Sequence, residues 1–504
     1  MSGIFYGLEI ARRGLTVSQQ AITLTGNNIS NASTVGYTRQ RVLVESLYPD
    51  THSRMNGGVQ IGGGAEVTRI DQVRSQYIDR QLRDQYAALG QSNTRSDEMQ
   101  FIESVLNETA KSGTISTALA DFYSSLNKLS NEPDSQEVRT NLQQNAIKLC
   151  ETMGYYYNQL VDLQNSYNDA MSVTVDNIND LTTSIASYNK EIMAFELSGQ
   201  QANELRDSRN LLLDKLSKLV NTQYSEDTDG RLTVTVNGTA LVSHTDVTKL
   251  VVDPNQTGAV SGETGYYSIY YEGTTTDFSY SGGQLQAYKD LRDNNTPDNM
   301  GIPYILSGLN KLAQSLAQEF NTVHKTGYTI PYDGGTSKTG INLFNVTTAV
   351  DAGGNTYEDY SAITAGNISL SAEVLANVYN IAASGAPVDL SAADTQEGNN
   401  EVALKLYALA SSNSLSTIGN FQDYLKSFVV KVGIASKSAQ ETDKNQSVIV
   451  DNLETRRESI SGVSVDEEMI NLIAYQHAYS AAARMLTAID EALEIVLNMG
   501  RVGR

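Results

Sequence analysis

Apolar residues return every three or four positions over the first thirty residues. Ile4, Leu8, Ala11, Leu15, Ser18, Ile22, Thr25 and Ile29 follow alternating steps of four and three, the spacing of one stripe along a helix. Every second position is small or weakly polar, so the seam is narrow. The spacing predicts a helix ending at Gly26-Asn27-Asn28 or shortly beyond, and the run over 31–36 reads as a loop. The last forty residues repeat the arrangement: Leu472, Tyr475, Tyr479, Ala482, Leu486, Ile489, Leu493 and Val496 step by three and four throughout. Ser464 and Glu467 have capping-box spacing, and Asp466, Glu467 and Glu468 stand where the helix dipole favours carboxylates.

Between these ends, residues 71 to about 220 are predicted to be mostly helical. Met171, Val175, Ile178, Leu181, Ile185, Tyr188, Ile192 and Phe195 keep the helical spacing until Ser198-Gly199, and Leu205, Leu212, Leu216 and Leu219 carry a second stripe. The period changes near Asn221. Leu232, Val234 and Val236 alternate with threonines and run into Asn237-Gly238, a two-residue hairpin signal. Tyr267, Ile269 and Tyr271 alternate likewise before Gly282-Gly283. Helical spacing returns at Ile305, Leu309, Leu312, Leu316, Phe320 and Val323. Residues 329 to 400, rich in Gly, Thr, Ala and Asn, predict short strands and loops. Helix resumes from Asn400 through Leu425, Phe428 and Val432 to about Arg457.

The expected fold is mostly α with an inserted β-rich region, an α+β multidomain chain that goes out and comes back. In this plan residues 1–35 and 460–504 pair as a terminal coiled coil. Residues 36–220, 283–328 and 400–459 form a bundle of long helices, and 221–282 with 329–399 form a β-rich outer domain. A length of 504 residues exceeds one simple core, which agrees with several domains. A thirty-residue terminal helix would be ~45 Å long and marginal by itself in water. Each Leu or Ile buried against a partner contributes roughly 1.5–3 kcal/mol, so the ends gain stability by docking on each other or on other subunits.

The formal net charge of -22 opposes a phosphate backbone, and Arg12-Arg13 and Arg456-Arg457 are isolated pairs; no nucleic-acid partner is expected. Cys150 is the single cysteine, which excludes an internal disulfide. No stretch approaches the ~18 apolar residues of a membrane span, so no insertion is expected. Glu9, Arg12 and Arg13 interrupt the first fifteen residues, which do not read as a Sec-type signal; the chain stays inside or leaves by a route that reads none. His52, His244, His324 and His477 are scattered without metal-ligand spacing, with His324 and His477 expected to make ordinary polar or surface contacts. Gly62-Gly63-Gly64 lacks the Lys-Ser/Thr of a phosphate loop and reads as a turn. Nothing argues for an enzyme, a metal or a cofactor.

The segment Thr25-Gly-Asn-Asn-Ile-Ser-Asn-Ala-Ser-Thr-Val-Gly-Tyr-Thr-Arg-Gln40 resembles the signature of flagellar rod, hook and hook-associated proteins, with Asn27-Asn28-Ile29-Ser30-Asn31 at its centre. Its Gly36-Tyr37-Thr38-Arg39-Gln40 ending is similar to the family that forms the first hook–filament junction, the FlgK family. So are Asp71-Gln-Val-Arg-Ser-Gln-Tyr77, the stretch from Asn203-Glu204-Leu205-Arg206-Asp207 to Leu216, and Ser461-Gly-Val-Ser-Val-Asp-Glu-Glu468. The resemblance covers about half the chain and leaves 221–400 largely unmatched. It implies a non-enzymatic structural subunit, exported through the flagellar type III apparatus without a cleaved signal, that forms a ring on the distal hook outside the cell. Implied partners are copies of itself, hook protein, the second junction protein and an export chaperone on the C-terminal helix. The implied assembly interface comprises Ile4, Leu8, Leu15, Ile22 and Ile29, the asparagines Asn27, Asn28 and Asn31, and Leu472, Tyr475, Tyr479, Leu486, Ile489, Leu493 and Val496.

Overall fold

Both terminal stripes become helices, α1 (Ser2–Ser30) and α11 (Val465–Arg501). The computed structural model describes residues 2–48, 62–106, 113–197, 199–227, 230–257, 264–332, 335–351, 353, 355–393, 395–412 and 419–501. His52 and Ser198 lie outside them. The two helices pack on each other antiparallel. A side chain at Gly7 would meet Ile489 Cδ1 at 3.4 Å and one at Gly14 would meet Ala482 Cβ at 3.8 Å, while Asn28 bonds Glu468. Each of these pairs sums to 496, so one register holds along the whole contact.

Residues 40–46 and 65–72, expected within the helical bundle, instead pair as antiparallel strands β1 (Gln40–Ser46) and β2 (Ala65–Gln72), with a bulge at Leu43/Val44. The Val42-Leu43-Val44 run is short and flanked by charges, which weakened its period-two signal. Gly64, just before β2, has φ 89° and lies against Ile10 of α1, where a β-carbon would strain the backbone. The Gly62–Gly64 run lies against α1, and Arg13 donates to the Gly63 carbonyl at 3.1 Å.

The body is built from α2 (Gln76–Leu106), α3 (Ile115–Asn131), α4 (Gln136–Glu196) and α5 (Asn203–Leu219), joined later by α6 (Gly283–Asp293), α7 (Ile302–His324), α9 (Glu401–Ala408) and α10 (Phe421–Ser461). At 61 residues, α4 is ~90 Å long and serves two cores. Its first half packs Leu142, Leu149 and Met153 against α3 and α7, around Phe122, Phe320 and Phe344, whose ring centroids lie 5.2–6.2 Å apart. Cys150 is buried in this core, and burial with the nearby Glu151 carboxylate pushes its thiol up to about 12, so it stays protonated. The second half packs Met171, Val175, Ile178 and Ile185 against α5, Ile269 and the sheet residues Val234, Val236 and Val242.

That sheet runs β3 (Gln223–Glu226), β4 (Leu232–Val236), β5 (Thr239–Ser243), β6 (Asp246–Val247), with β7 (Leu250–Thr257) and β8 (Thr264–Tyr271) as a separate hairpin. Asn237 and Gly238 turn β4 into β5 with φ 45° and 86°, the left-handed pair that a two-residue hairpin requires. The later segment, with β9 (Thr347–Val350), β10 (Thr356–Asp359) and α8 (Ala372–Ala376), packs Leu343, Phe344, Leu370 and Val374 into the first core instead. Residues 221–282 and 329–399, expected together in one outer unit, therefore belong to different cores. The length of α4 separates them: each segment folds back onto the part of the helix nearest its own strands.

Two polar side chains at the end of α7 hold the later segment in place. Asn321 exchanges two hydrogen bonds with the Phe344 backbone at 2.9 and 2.8 Å. His324, fully buried, accepts from the Ala382 N–H at Nε2 (2.8 Å), which leaves Nδ1 as the donor to the Ile341 carbonyl at 2.7 Å. A second ring proton would face an N–H, and burial lowers the histidine pKa from 6.5 to about 4. Because the folded value is depressed, this stability is complete above the unfolded value and is lost as pH falls towards about 4. The expected cost is about 2 kcal/mol between pH 6.5 and 5. Urea midpoints of the parent chain should fall across that window and those of His324→Gln should stay nearly level; equal slopes would remove His324 as the cause.

Candidate functional site

The Asn-Asn-Ile-Ser-Asn run sits on the last turn of α1, where backbone carbonyls lack helical partners. Asn31 Nδ2 takes up part of this deficit by donating to the carbonyl and side-chain oxygen of Asn27 at 3.1 and 2.7 Å. Asn28 points inward and is buried. Its Nδ2 donates to the Gln40 carbonyl (2.9 Å) and to Glu468 Oε2 (3.0 Å). Its Oδ1 accepts from the Tyr37 hydroxyl (2.8 Å) and the Gln40 N–H (3.1 Å). All four bonding positions of the amide are filled, so no other side chain of similar size satisfies the pocket.

Glu468 stands on the first turn of α11 and is only 3% exposed. Besides Asn28 it receives Arg39 through Nε at 2.9 Å and through a terminal nitrogen at 2.8 Å, and Arg39 also reaches Glu467 at 3.3 Å. The Arg39 backbone N–H donates to Ser461 O at the end of α10 (2.9 Å). Asp466, Glu467 and Glu468 stand in the first turn of α11, as the spacing predicts. Structure gives Glu468 an ion pair, and the capping box is half made: Ser464 accepts the Glu467 N–H at 3.5 Å, while the Glu467 carboxylate turns to Arg39. Tyr37 is held protonated by burial and by the carboxylates of Glu204, Asp207 and Glu468, so it remains a donor to Asn28.

The alternate residues of Tyr37-Thr38-Arg39-Gln40 point the other way, onto α5. Thr38 donates to Asp207 through its N–H (2.9 Å) and hydroxyl (2.6 Å), and Gln72 adds a third bond at 2.8 Å. Burial nevertheless pushes the Asp207 pKa up against these donors. Gln40 bonds Asn203 and Glu204, each at 3.1 Å. Two turns on, Asp214 takes Arg83 of α2 at 2.8 Å and Arg457 of α10 at 2.7 Å. Burial would raise this carboxyl, but the two guanidiniums outweigh it and hold it below the usual range. Arg209 faces the sheet, bonding Asn189, Glu226 and the Gly230 carbonyl at 2.7–2.9 Å. Gly90 lets α2 touch α5; a β-carbon there would lie 2.0 Å from the Lys218 carbonyl. The clasp at the chain ends is thus wired through α5 to α2, α4, α10 and the first sheet.

Burial on α1 takes in the small expected positions Ala11, Ser18 and Thr25, while the large ones give way to the residue before each: Gly7, Gly14, Ala21 and Asn28 face inward in place of Leu8, Leu15, Ile22 and Ile29. Gly7, Ala11, Gly14, Ser18, Ala21, Thr25 and Asn28 keep the steps of four and three and face α11, and every one of them from Ala11 on except half-buried Gly14 is buried. Leu8, Leu15, Ile22 and Ile29 flank this seam and are half-buried; Ile4 belongs to α1, with its side chain outside the described ones. On α11, Leu472, Leu486, Ile489 and Leu493 are half-buried, while Tyr475, Tyr479 and Val496 stay exposed at 37%, 36% and 39%. Asn27 and Asn31 are half-buried and cap the helix, and only Asn28 joins the two ends.

Among the described residues no group of His, Cys, Asp or Glu is placed to hold a metal, and no helix is long and apolar enough to cross a membrane. The arrangement fastens, and its test is mechanical. Asn28→Asp places a second carboxylate beside Glu468 and is expected to destabilise the terminal pair by about 2–4 kcal/mol. Amide hydrogen exchange should then quicken across α1 and α11 and stay unchanged around Phe122 and Phe320. Exchange in α11 as slow as in the parent chain would contradict the clasp.

The chain matches known proteins along its length. A family model described as the flagellar hook-associated protein FlgK helical domain matches residues 99–344. Models described as flagella basal body rod protein and as flagellar basal body rod FlgEFG protein C-terminal match 8–38 and 457–499, the two segments that the clasp joins. Flagellar hook-associated protein 1 of Bacillus subtilis (strain 168) is 31% identical, with 100% of each chain covered. Its Escherichia coli (strain K12) namesake is 24% identical over 97% of this chain and 98% of that one. The solved structure of the flagellar hook junction protein FlgK from Burkholderia pseudomallei shares the fold, with a TM-score of 0.59 at 17% identity over 76% of this chain and 100% of that one. With full-length identity at this level, the chain belongs to the flagellar hook-associated protein 1 family.

Proposed function

We propose that this chain is a non-catalytic structural subunit at the junction of flagellar hook and filament, seated in the axial tube by α1 and α11 acting as a coiled coil. The observation that carries the reading is the outer face of α11. The helix packs chiefly on α1, and Ile470, Ile473, Met485 and Ile495 remain 68%, 52%, 45% and 57% exposed. A helix so supplied with uncovered apolar side chains is expected to bury them in an assembly. The partial exposure of Tyr475, Tyr479 and Val496 supports the same interface.

On this reading the subunit is carried out through the flagellar export apparatus and closes a ring on the hook, with hook protein below and the second junction protein above. Before export, a chaperone shields the same face of α11. The names of the relatives, all hook-associated protein 1, support the location. Ile473→Glu combined with Ile495→Glu should leave the helicity and melting of the free chain unchanged, because neither side chain is buried in it. Subunit bound to isolated hook ends, counted by immunogold, should fall about tenfold or more. Parent-level binding would refute the seating role of this face.

A further inference from the structure

The helical body presents two exposed charge stripes of opposite sign whose spacings match. On α4, Asp162, Asp169 and Asp180 are exposed, and no lysine or arginine occurs between Lys148 and Lys190. Steps of seven and eleven residues are close to whole numbers of helical turns, so the three carboxylates share one face, ~10 and ~16 Å apart. On α10, Lys426, Lys437 and Lys444 are exposed, and the stretch from 424 to 440 contains no acid. Their steps are eleven and seven, the same intervals in reverse order. None of the six has an ion pair within the chain among the described residues.

We propose that α4 of one copy docks antiparallel on α10 of the next, pairing Asp180 with Lys426, Asp169 with Lys437 and Asp162 with Lys444. That register brings Val173, 59% exposed on α4, opposite Gly433, the gap between exposed Val430 and Ile434. The acid within the basic face, Glu441, falls opposite Asn165, and Glu103 of α2, whose Oε1 a β-carbon at Gly433 would meet at 3.5 Å, borders the seat of Val173. The two stripes are different surfaces of one chain, so the contact is head-to-tail and propagates from copy to copy, as the ring reading requires. With -22 on each copy, free subunits repel, and this complementary strip supplies local attraction and register once the ends are seated.

The inference rests on the ring reading above and is tested so that the two fail separately. Full-length Lys437→Cys/Asp169→Cys chains are allowed to assemble on isolated hooks and are then oxidised; buried Cys150 stays out of the reaction. A ladder of covalent multimers is expected from the double variant and from neither single one. Normal binding to hooks without a ladder overturns the contact and leaves the junction reading standing. Failure of the parent chain to bind hooks overturns both. A cross-link from Lys437→Cys to a protein of another mass gives the basic face to a different partner and overturns the contact. As a second arm, Lys437→Glu and Asp169→Lys should each weaken lateral association about tenfold, and the double exchange should recover most of it. No recovery overturns the pairing.

Discussion

A buried primary amide, seated beside the Arg39–Glu468 ion pair, ties the beginning of this chain to its end. Asn28 bonds Glu468 across 440 residues while both of its remaining positions on oxygen and one on nitrogen are occupied by the loop that follows α1. Everything between has to fold so that those atoms meet. The helix seam around it is lined by Gly7, Ala11, Gly14, Ser18 and Ala21, which permit close approach but bury little area and tolerate sliding. Directional bonds to a buried carboxylate do not slide, so the polar end sets the register that the small residues extend.

The body depends on the same kind of constraint one step further in. Asn203, Asp207, Arg209 and Asp214 are buried on α5 and each is matched to a different neighbour. Such groups are costly to desolvate, and their return is specificity of orientation more than stability. A hinge of apolar contacts would let the terminal pair swing against the bundle. With Thr38 and Gln40 tied to α5 and Arg39 tied to Glu468, alternate residues of one strand grip opposite sides, and the orientation of the two ends relative to the body is held. That is a useful property for a part that passes load along an axis.

Away from the clasp, the chain distributes its surface by purpose. Most large apolar side chains of α3, α4 and α7 fill two cores, whereas α11 leaves Ile470, Ile473, Met485 and Ile495 outside. The acidic excess keeps separate copies apart, and the few lysines on α10 interrupt it locally.

Periodicity by itself determined the long helices, the strands around Asn237-Gly238 and the amphipathic character of both ends, because those features are local and repeat within a few residues. The strand pair at 40–46 and 65–72 escaped it: a brief Val-Leu-Val run among charges has too little period to register. The buried line of α1 was legible only in part: Ala11, Ser18 and Thr25 were on the expected stripe, but Gly7, Gly14, Ala21 and Asn28 take the seam in place of Leu8, Leu15, Ile22 and Ile29, since closeness of packing favours small residues where a hydropathy pattern favours Leu and Ile. Sequence motifs marked Asn28, Arg39, Asp207 and Asp214 as members of a family signature without saying what each touches. Only the tertiary structure decided that Glu468, besides standing in the first turn of α11, is a buried partner of Asn28 and Arg39, and that the two β-rich segments lie in separate cores. Those outcomes turn on which surfaces meet across hundreds of residues, and a local pattern carries no information about its distant partner.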